Sequence, residues 1–181
     1  MNRIALKRIA LVLALSAVIG AAQAGDGAPD LSKVNGSLVA EAGRTYGDID
    51  TVNGSITVEA KAVARNVETV NGSIKLLSLN VGGGVETVNG NITVDDGSVV
   101  GGNVTVKKPS NWGMSWGKPK VPRIVLGPNS TVKGNLVFER EVELYVHNTA
   151  KYGKIIYLEA EAGKAETLKP VVFTGKEPDF K

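Results

Sequence analysis

Val34-Asn35-Gly36-Ser37-Leu38 is the most informative motif of the chain, because it recurs three more times along the sequence. The interval between successive copies is always 18 residues. The copies are Val52-Asn53-Gly54-Ser55-Ile56, Val70-Asn71-Gly72-Ser73-Ile74 and Val88-Asn89-Gly90-Asn91-Ile92. Self-similarity at one fixed period is the sequence signature of a repeat architecture. The chain is therefore built, at least in part, from one repeating structural unit.

A period of six lies inside the period of 18. Stepping by six from Val34 reaches apolar or small residues throughout, namely Ala40, Tyr46, Val52, Val58, Ala64, Val70, Leu76, Gly82, Val88, Val94, Val100 and Val106. We interpret these positions as the inward-facing residues of a coil with three sides. Such coils stack about 4.8 Å apart and pair their backbones with the neighbouring coils. The sequence thus predicts an all-β fold, a single-stranded parallel β-helix (β-solenoid) with 18-residue coils.

An array of β-hairpins is the competing interpretation, because Asn-Gly is the strongest short hairpin signal. Stacked coils require the strict phase of the repeat, whereas hairpins only permit it, so we favour the solenoid. Asn-Gly then forms a corner, where glycine adopts a left-handed conformation at little cost. We expect two structural ladders of stacked side chains at this corner, an amide ladder of Asn35, Asn53, Asn71 and Asn89 and a second ladder of Thr51, Thr69 and Thr87.

The repeat continues past Val106 in a degraded form. Val100-Gly101-Gly102-Asn103-Val104 and Val132-Lys133-Gly134-Asn135-Leu136 resemble motif copies, but their spacing is much longer than one repeat, which predicts a loop insertion at about 107–120. After the insertion, the pairs Ile124/Val142 and Leu126/Leu144 resume the interval of 18. The expected organisation is a solenoid domain of about eight coils over residues 25–169, followed by a C-terminal tail over 170–181.

Residues 1–24 have the pattern of a secretory signal peptide. Met1–Arg8 is basic, Ile9–Gly20 is apolar but too short to span a bilayer comfortably, and Ala22-Gln23-Ala24 supplies a signal-peptidase site. We expect export, with the periplasm as the destination and the cell surface or medium as alternatives. No later segment is apolar enough to cross a membrane. The chain has no cysteine, so no disulfide stabilises it after export.

The charge balance gives no argument for a nucleic-acid partner. The chain has 21 Lys+Arg against 18 Asp+Glu, but Arg3, Lys7 and Arg8 belong to the predicted signal peptide. The remainder therefore has no net charge. Acids predominate before Val106 and bases after it, which predicts an acidic half and a basic half of an elongated fold.

The predicted insertion differs from the repeats in composition. It holds both tryptophans of the chain, four lysines and no acid, and its Pro and Gly residues indicate a protruding loop. Tryptophan among cations can lie at a membrane interface, stack on sugar rings or anchor a protein. The alternative is that both indoles fold back over the coils as a lid. The candidate residues for binding an envelope glycan, a lipid surface or a protein are Lys107, Lys108, Trp112, Trp116, Lys118, Lys120 and Arg123.

Few residues of the chain have the pattern of a catalytic site. There is no Cys nucleophile, and we interpret the single imidazole, His147, as structural. Asp95-Asp96-Gly97 has the composition of an ordinary turn, and Glu68 and Glu86 share a repeat position with Asp50, which predicts a solvated acidic stripe. We therefore expect no catalytic residue, metal or cofactor. A carbohydrate-active β-helix enzyme is the alternative that would require Arg65, Lys75, Asp95 and Asp96 to converge in a groove.

Two bacterial families resemble parts of the chain. Thr51-Val52-Asn53-Gly54-Ser55-Ile56-Thr57-Val58 and its copies, over about Leu31–Val106, resemble the β-strand-repeat, adhesin-like envelope families of unknown function. Gly127-Pro128-Asn129-Ser130-Thr131-Val132-Lys133-Gly134-Asn135-Leu136, within about Ile124–Tyr157, resembles a coil of the polymer-forming bactofilins. Both resemblances imply a right-handed parallel β-helix without catalytic residues. Bactofilins are typically cytoplasmic, so the predicted signal peptide departs from their pattern.

These patterns together predict an exported, non-enzymatic structural and binding protein of the bacterial envelope, adhesin-like in character. Self-association through the coil ends, as in a bactofilin-like scaffold, is the second hypothesis.

Overall fold

The chain folds as a stack of parallel β-strands in the computed structural model, which describes residues 27–95, 97–109, 120–158 and 169–180. These residues form eighteen strands, numbered here in chain order, and no helix. Accordingly, the described part of the chain contains no helix that could span a membrane. The predicted signal peptide lies outside these ranges, as does most of the predicted insertion.

The strands assemble into three sheets, and every strand pair is parallel. The first sheet contains, in spatial order, β1 (Leu31–Asn35), β3 (Asp48–Asn53), β6 (Asn66–Asn71), β9 (Val85–Thr87), β12 (Val104–Val106), β15 (Leu136–Phe138) and β17 (Ile155–Tyr157). The second contains β2 (Leu38–Ala40), β4 (Ile56–Val58), β7 (Ile74–Leu77), β10 (Ile92–Asp95), β13 (Arg123–Leu126), β16 (Glu143–His147) and β18 (Val171–Phe173). The third contains β5 (Val63–Ala64), β8 (Asn80–Val81), β11 (Val99–Val100) and β14 (Thr131–Val132). Successive strands of the chain belong to different sheets, so the fold is the predicted β-solenoid rather than a hairpin array.

The register confirms the predicted coil length in the first part of the chain and shows longer coils afterwards. Leu31 pairs with Ile49, Ile49 with Val67 and Val67 with Val85, so each of these pairs is separated by one full repeat. Val85 then pairs with Val104, an interval of 19. Because a corner can accept an extra residue without changing which side chains face inward, the longer coils preserve the core.

The later coils keep the predicted spacing across the insertion but not the predicted interval after it. Val100 pairs with Val132, so the predicted spacing across the insertion is correct. The prediction that the interval of 18 returns after the insertion is wrong. Ile124 pairs with Leu144 and not with Val142, and Leu126 pairs with Val146 and not with Leu144. Longer coils use more of the chain per turn, and the described residues therefore form about six turns rather than eight.

Part of the predicted C-terminal tail belongs to a sheet. Residues 171–173 form β18, and Val172 pairs with Val146 of β16. This strand is the last of the second sheet. The chain between Val146 and Val172 is longer than an ordinary coil.

The core is one continuous apolar column enclosed by the three sheets. Ile49, Ile56 and Leu76 are fully buried in its first half, and Ile124 and Phe138 in its second half. The six-residue step correctly predicted that Val106 of the first sheet is buried. It predicted the wrong residue at the Asn-Gly corners of this sheet, because the valines before these corners are only half-buried. The threonines that precede them face inward instead, and their hydroxyls donate to carbonyl oxygens of the preceding coil: Thr51 to Gly36, Thr69 to Gly54 and Thr87 to Gly72.

Candidate functional site

The Asn-Gly corners stack closely where the first sheet turns into the second. A Cβ atom at Gly54, Gly72 or Gly90 would overlap the carbonyl oxygen of the glycine one coil earlier. Among the glycines of the four Asn-Gly corners, only Gly36, in the first coil, has a left-handed backbone, with φ of 106°. The expectation of left-handed glycine at every corner is therefore wrong. Close approach of the backbones excludes a side chain at the three later corners.

The corner asparagines form a hydrogen-bonded amide ladder. Asn53 Nδ2 donates to Asn35 Oδ1 at 3.0 Å, Asn71 Nδ2 to Asn53 Oδ1 at 2.9 Å, and Asn89 Nδ2 to Asn71 Oδ1 at 3.0 Å. All three bonds point in the same direction, so the amide dipoles are aligned and polarise one another. Oδ1 of Asn89 is the negative end of this ladder.

Arg140 binds the negative end of the ladder. It is only 6% exposed, and its Nη1 atom donates to Asn89 Oδ1 at 2.9 Å and to the carbonyl oxygen of Val88 at 3.3 Å. Its Nη2 atom donates to the carbonyl oxygen of Lys120 at 3.1 Å. Hydrogen bonds from a charged donor are stronger than those between neutral groups. Arg140 thus ties the end of the insertion to the ladder.

The position of Arg140 explains why sequence reasoning missed it. Asn89 lies at the corner before the insertion and Arg140 at the corner after it, so the guanidinium spans the coil whose own corner the insertion replaces. A single arginine at a corner, 51 residues from its partner, has no periodic signal in the sequence.

The start of the insertion is held by the first sheet. The backbone N–H of Lys107 donates to the carbonyl oxygen of Thr87 at 2.8 Å, and its Nζ atom lies 2.7 Å from Glu86 Oε1. The backbone N–H of Lys108 donates to Glu139 Oε2 at 3.2 Å. Lys107 therefore neutralises the last carboxylate of the predicted acidic stripe.

The end of the insertion is held by the second sheet. The backbone N–H of Arg123 donates to Asn91 Oδ1 at 2.9 Å, and its Nε atom donates to Glu143 Oε2 at 3.0 Å. Its guanidinium carbon lies 4.1 Å from the ring centroid of Phe180 and 5.8 Å from that of Tyr145. Arg123 is thus engaged in contacts within the chain.

The described candidate binding residues do not converge on one surface. The Lys107 ammonium lies against the outer face of the first sheet, whereas the Arg123 guanidinium lies on the outer face of the second. Lys120 is exposed. Trp112, Trp116 and Lys118 lie outside the described residues, so their role stays a prediction.

A second polar ladder, which sequence reasoning missed, lies at the start of the first sheet. The backbone N–H of Asp48 donates to Asp30 Oδ1 at 2.7 Å, Asn66 Nδ2 donates to Asp48 Oδ1 at 2.8 Å, and the N–H of Gly84 donates to Asn66 Oδ1 at 3.0 Å. Arg65 donates to both carboxylate oxygens of Asp48, at 2.8 and 2.9 Å. The spacing of Asp30, Asp48 and Asn66 by one repeat each was the signal that could have revealed it.

The predicted acidic stripe lies on the outer face of the first sheet. Asp50, Glu68 and Glu86 occupy successive strands in register. Burial raises the pKa of Asp50 above its usual value, while the hydrogen bond from Ser32 opposes this effect and the neighbouring carboxylate of Asp48 adds to it. Asp50 is therefore harder to ionise in the folded protein than in the unfolded chain.

Among the described residues that a carbohydrate-active enzyme would require, Arg65 lies apart from Lys75 and Asp95. Arg65 follows the third sheet and binds Asp48. Lys75 and Asp95 lie on two strands of the second sheet, and Asp96 lies outside the described residues. No group of three or more metal-binding side chains occurs among the described residues.

His147 is buried and makes contacts that hold the turn after β16. Its Nδ1 atom accepts a hydrogen bond from the backbone N–H of Thr149 at 3.2 Å and lies 2.8 Å from the Thr149 hydroxyl. Its ring packs against that of Phe173 at 5.1 Å, edge to face.

Comparison with known proteins identified no relative. The chain matches no protein-family model, and no curated protein or solved structure is significantly similar to it.

Proposed function

We propose that this protein is an exported, non-enzymatic binding module of the bacterial envelope, adhesin-like in character. Its solenoid serves as a rigid support, and the insertion between β12 and β13 carries the binding residues. The envelope partner is a glycan, a lipid surface or a protein.

The observation that carries this proposal is the attachment of the insertion at both ends. Lys107 and Lys108 are bonded to the coils on one side, and the carbonyl of Lys120 accepts a hydrogen bond from buried Arg140 on the other. Val100 and Val132 nevertheless pair in register across the interruption. The insertion therefore leaves the stack intact and has both ends fixed. Fixed ends restrict the conformations of the insertion before it binds, which lowers the entropic cost of binding.

The use of buried polar groups in the coils also supports a non-enzymatic role. Catalytic sites tend to carry titratable groups with strongly perturbed pKa values that face a cleft. The buried polar side chains of the solenoid, such as Thr69, Arg140 and His147, bond instead to neighbouring coils or turns.

The test is binding of the purified protein to separate envelope fractions, namely peptidoglycan, lipopolysaccharide and outer-membrane vesicles. A blue shift of tryptophan fluorescence with one fraction, lost in the Trp112→Ala/Trp116→Ala variant, is the expected result. Far-UV circular dichroism checks that the variant keeps its β structure. Absence of a shift and of co-sedimentation with every fraction would contradict the proposal, as would turnover of a polysaccharide by the pure protein.

Self-assembly by stacking of coil ends is the second candidate function. It is favoured by the terminal strands of the second sheet, β2 and β18, which pair on one side only among the described residues and expose Val39 and Val172. Lys33 opposes it, because it occupies the inward position that threonine holds in the next coils and lies over Gly36. An inward-pointing charge on an edge strand discourages pairing with another chain. Growth beyond a dimer, followed by light scattering at increasing protein concentration, distinguishes self-assembly from the first candidate.

A further inference from the structure

The outer face of the second sheet changes from polar to apolar near its C-terminal end. Outward positions in the earlier strands are Thr57, Lys75 and Thr93, and the next two in register are Val125 and Tyr145. Although they face outward, Val125 is only 8% exposed and Tyr145 only 7%. Part of the chain therefore covers this face.

The covering segment is the C-terminal end of the described chain, residues 171–180. Phe173 and Pro178 are buried, and the Phe180 ring packs edge to face on Tyr145 at 5.2 Å and under the Arg123 guanidinium. β18 adds backbone pairing to β16, and the N–H of Asn148 donates to the carbonyl oxygen of Phe173 at 2.9 Å. This combination of strand addition and apolar anchors is a known way of binding an extended peptide.

The connection to this segment is longer than the fold requires. At the repeat corners the chain crosses from the first sheet to the second within a tight turn, as between Asn53 and Ile56. Residues 159–170 lie between Leu158, which follows β17, and β18. A connection of this length can extend over about 40 Å. The same segment can therefore reach a neighbouring molecule.

We infer that the face formed by Arg123, Val125, Tyr145 and β16 also binds residues 171–180 of a second copy of this chain. Two molecules that exchange these segments reciprocally form a closed dimer in which each docked segment keeps its contacts. Because the contacts are the same within and between molecules, protein concentration decides which form predominates. This association leaves the N-terminal coil free, so Lys33 does not oppose it. It is also independent of the proposed envelope binding.

Disulfide trapping tests the exchange, since the chain has no cysteine of its own. Val146 and Val172 are Cα partners in adjacent strands, a spacing compatible with a disulfide. The Val146→Cys and Val172→Cys variants are mixed at high concentration, oxidised and separated without reductant. The expected result is a mixed disulfide-linked dimer, several-fold above a matched control. The control is a mixture of Thr57→Cys and Lys75→Cys, which are partners in consecutive uninterrupted coils.

The double variant Val146→Cys/Val172→Cys is oxidised at low concentration in parallel. Cross-linking within one chain shows that the segment docks in the observed register. If that occurs while the mixed single variants give no more dimer than the control at any concentration, the exchange is refuted. Failure of the double variant to cross-link refutes the docking itself. If a cysteine variant loses its β structure, sedimentation of the unsubstituted chain shows whether a dimer forms. A monomer at all concentrations overturns the inference.

Discussion

Substitution of Gly72 by alanine tests the claim that backbone contact, and not a left-handed conformation, requires glycine at the corners. The alanine Cβ would overlap the carbonyl oxygen and carbonyl carbon of Gly54, so the two coils must separate locally. The separation strains the bond from Thr69 Oγ1 to the Gly54 carbonyl and the bond from Asn71 to Asn53. Overpacking costs about 1–3 kcal/mol and each weakened hydrogen bond about 1 kcal/mol. We expect a loss of about 3–5 kcal/mol in the free energy of unfolding, from the sum of these effects.

The matched control is Gly82→Ala, at another glycine without a left-handed φ. Its added Cβ would meet only the carbonyl oxygen of Ala64, at 3.9 Å, which is ordinary contact. Alanine at a compatible position changes stability by less than about 1 kcal/mol, usually in the favourable direction. Urea denaturation followed by far-UV circular dichroism measures both variants. If the Gly72→Ala variant unfolds at the same urea concentration as Gly82→Ala, coil-to-coil contact at the corners is not what excludes a side chain.

Three further predictions concern the charged residues. Replacing Arg140 with alanine leaves Asn89 Oδ1 and the Lys120 carbonyl without their donor, so we expect about 2–4 kcal/mol of destabilisation and faster tryptic cleavage in the insertion. The exposed ion pair of Arg44 with Glu41 supplies the control, because Arg44→Ala should cost less than about 1 kcal/mol; equal effects would contradict the role given to Arg140. Lys33→Thr should form assemblies larger than a dimer as concentration rises, as measured by light scattering, whereas Lys75→Thr, on an outer face, should not; an unchanged Lys33→Thr protein would show that this lysine does not block the coil end. Since burial raises the pKa of Asp50 above 3.8, the folded protein binds this proton more tightly than the unfolded chain, and the associated stability is lost as pH rises above 3.8. Asp50→Asn should therefore unfold at a higher temperature than the unsubstituted protein at neutral pH and at the same temperature below pH 3.8, and a constant difference across pH would refute this.

The period of the Val-Asn-Gly motif was sufficient to predict the solenoid and the asparagine ladder. Stacking places each residue beside the one 18 positions later, so both features appear in the sequence as a repeat. The inward side chain at the corner was predicted wrongly because valine and threonine have similar size. Hydropathy favours burial of Val52, but the hydroxyl of Thr51 donates a hydrogen bond to the carbonyl of Gly36. Burial of a hydrogen-bonded hydroxyl costs little free energy.

The later coils and the covering segment could not be predicted in the same way. Extra residues in a corner lengthen the interval between paired residues while the inward apolar pattern stays intact. Val142 and Leu144 are both apolar, so the sequence does not show which of them pairs with Ile124. The contact of Phe180 with Arg123 joins positions far apart in the chain that no repeat relates. The charge of Arg123 predicts an external partner, because the sequence does not show the aromatic ring that covers the guanidinium.

The insertion and the ladder are structurally connected. An uninterrupted solenoid would place a fifth Asn-Gly corner after β12, and Asn89 Oδ1 would then accept a hydrogen bond from the next asparagine. The insertion begins at that corner, and without a replacement donor the Asn89 oxygen would lack its partner at the negative end of four aligned amides. Arg140 supplies that donor from one coil further on and uses its second nitrogen to hold the Lys120 carbonyl. The residue that completes the ladder is thus also the one that fixes the end of the insertion, so the position of the insertion depends on the same stack of corners that determines the fold.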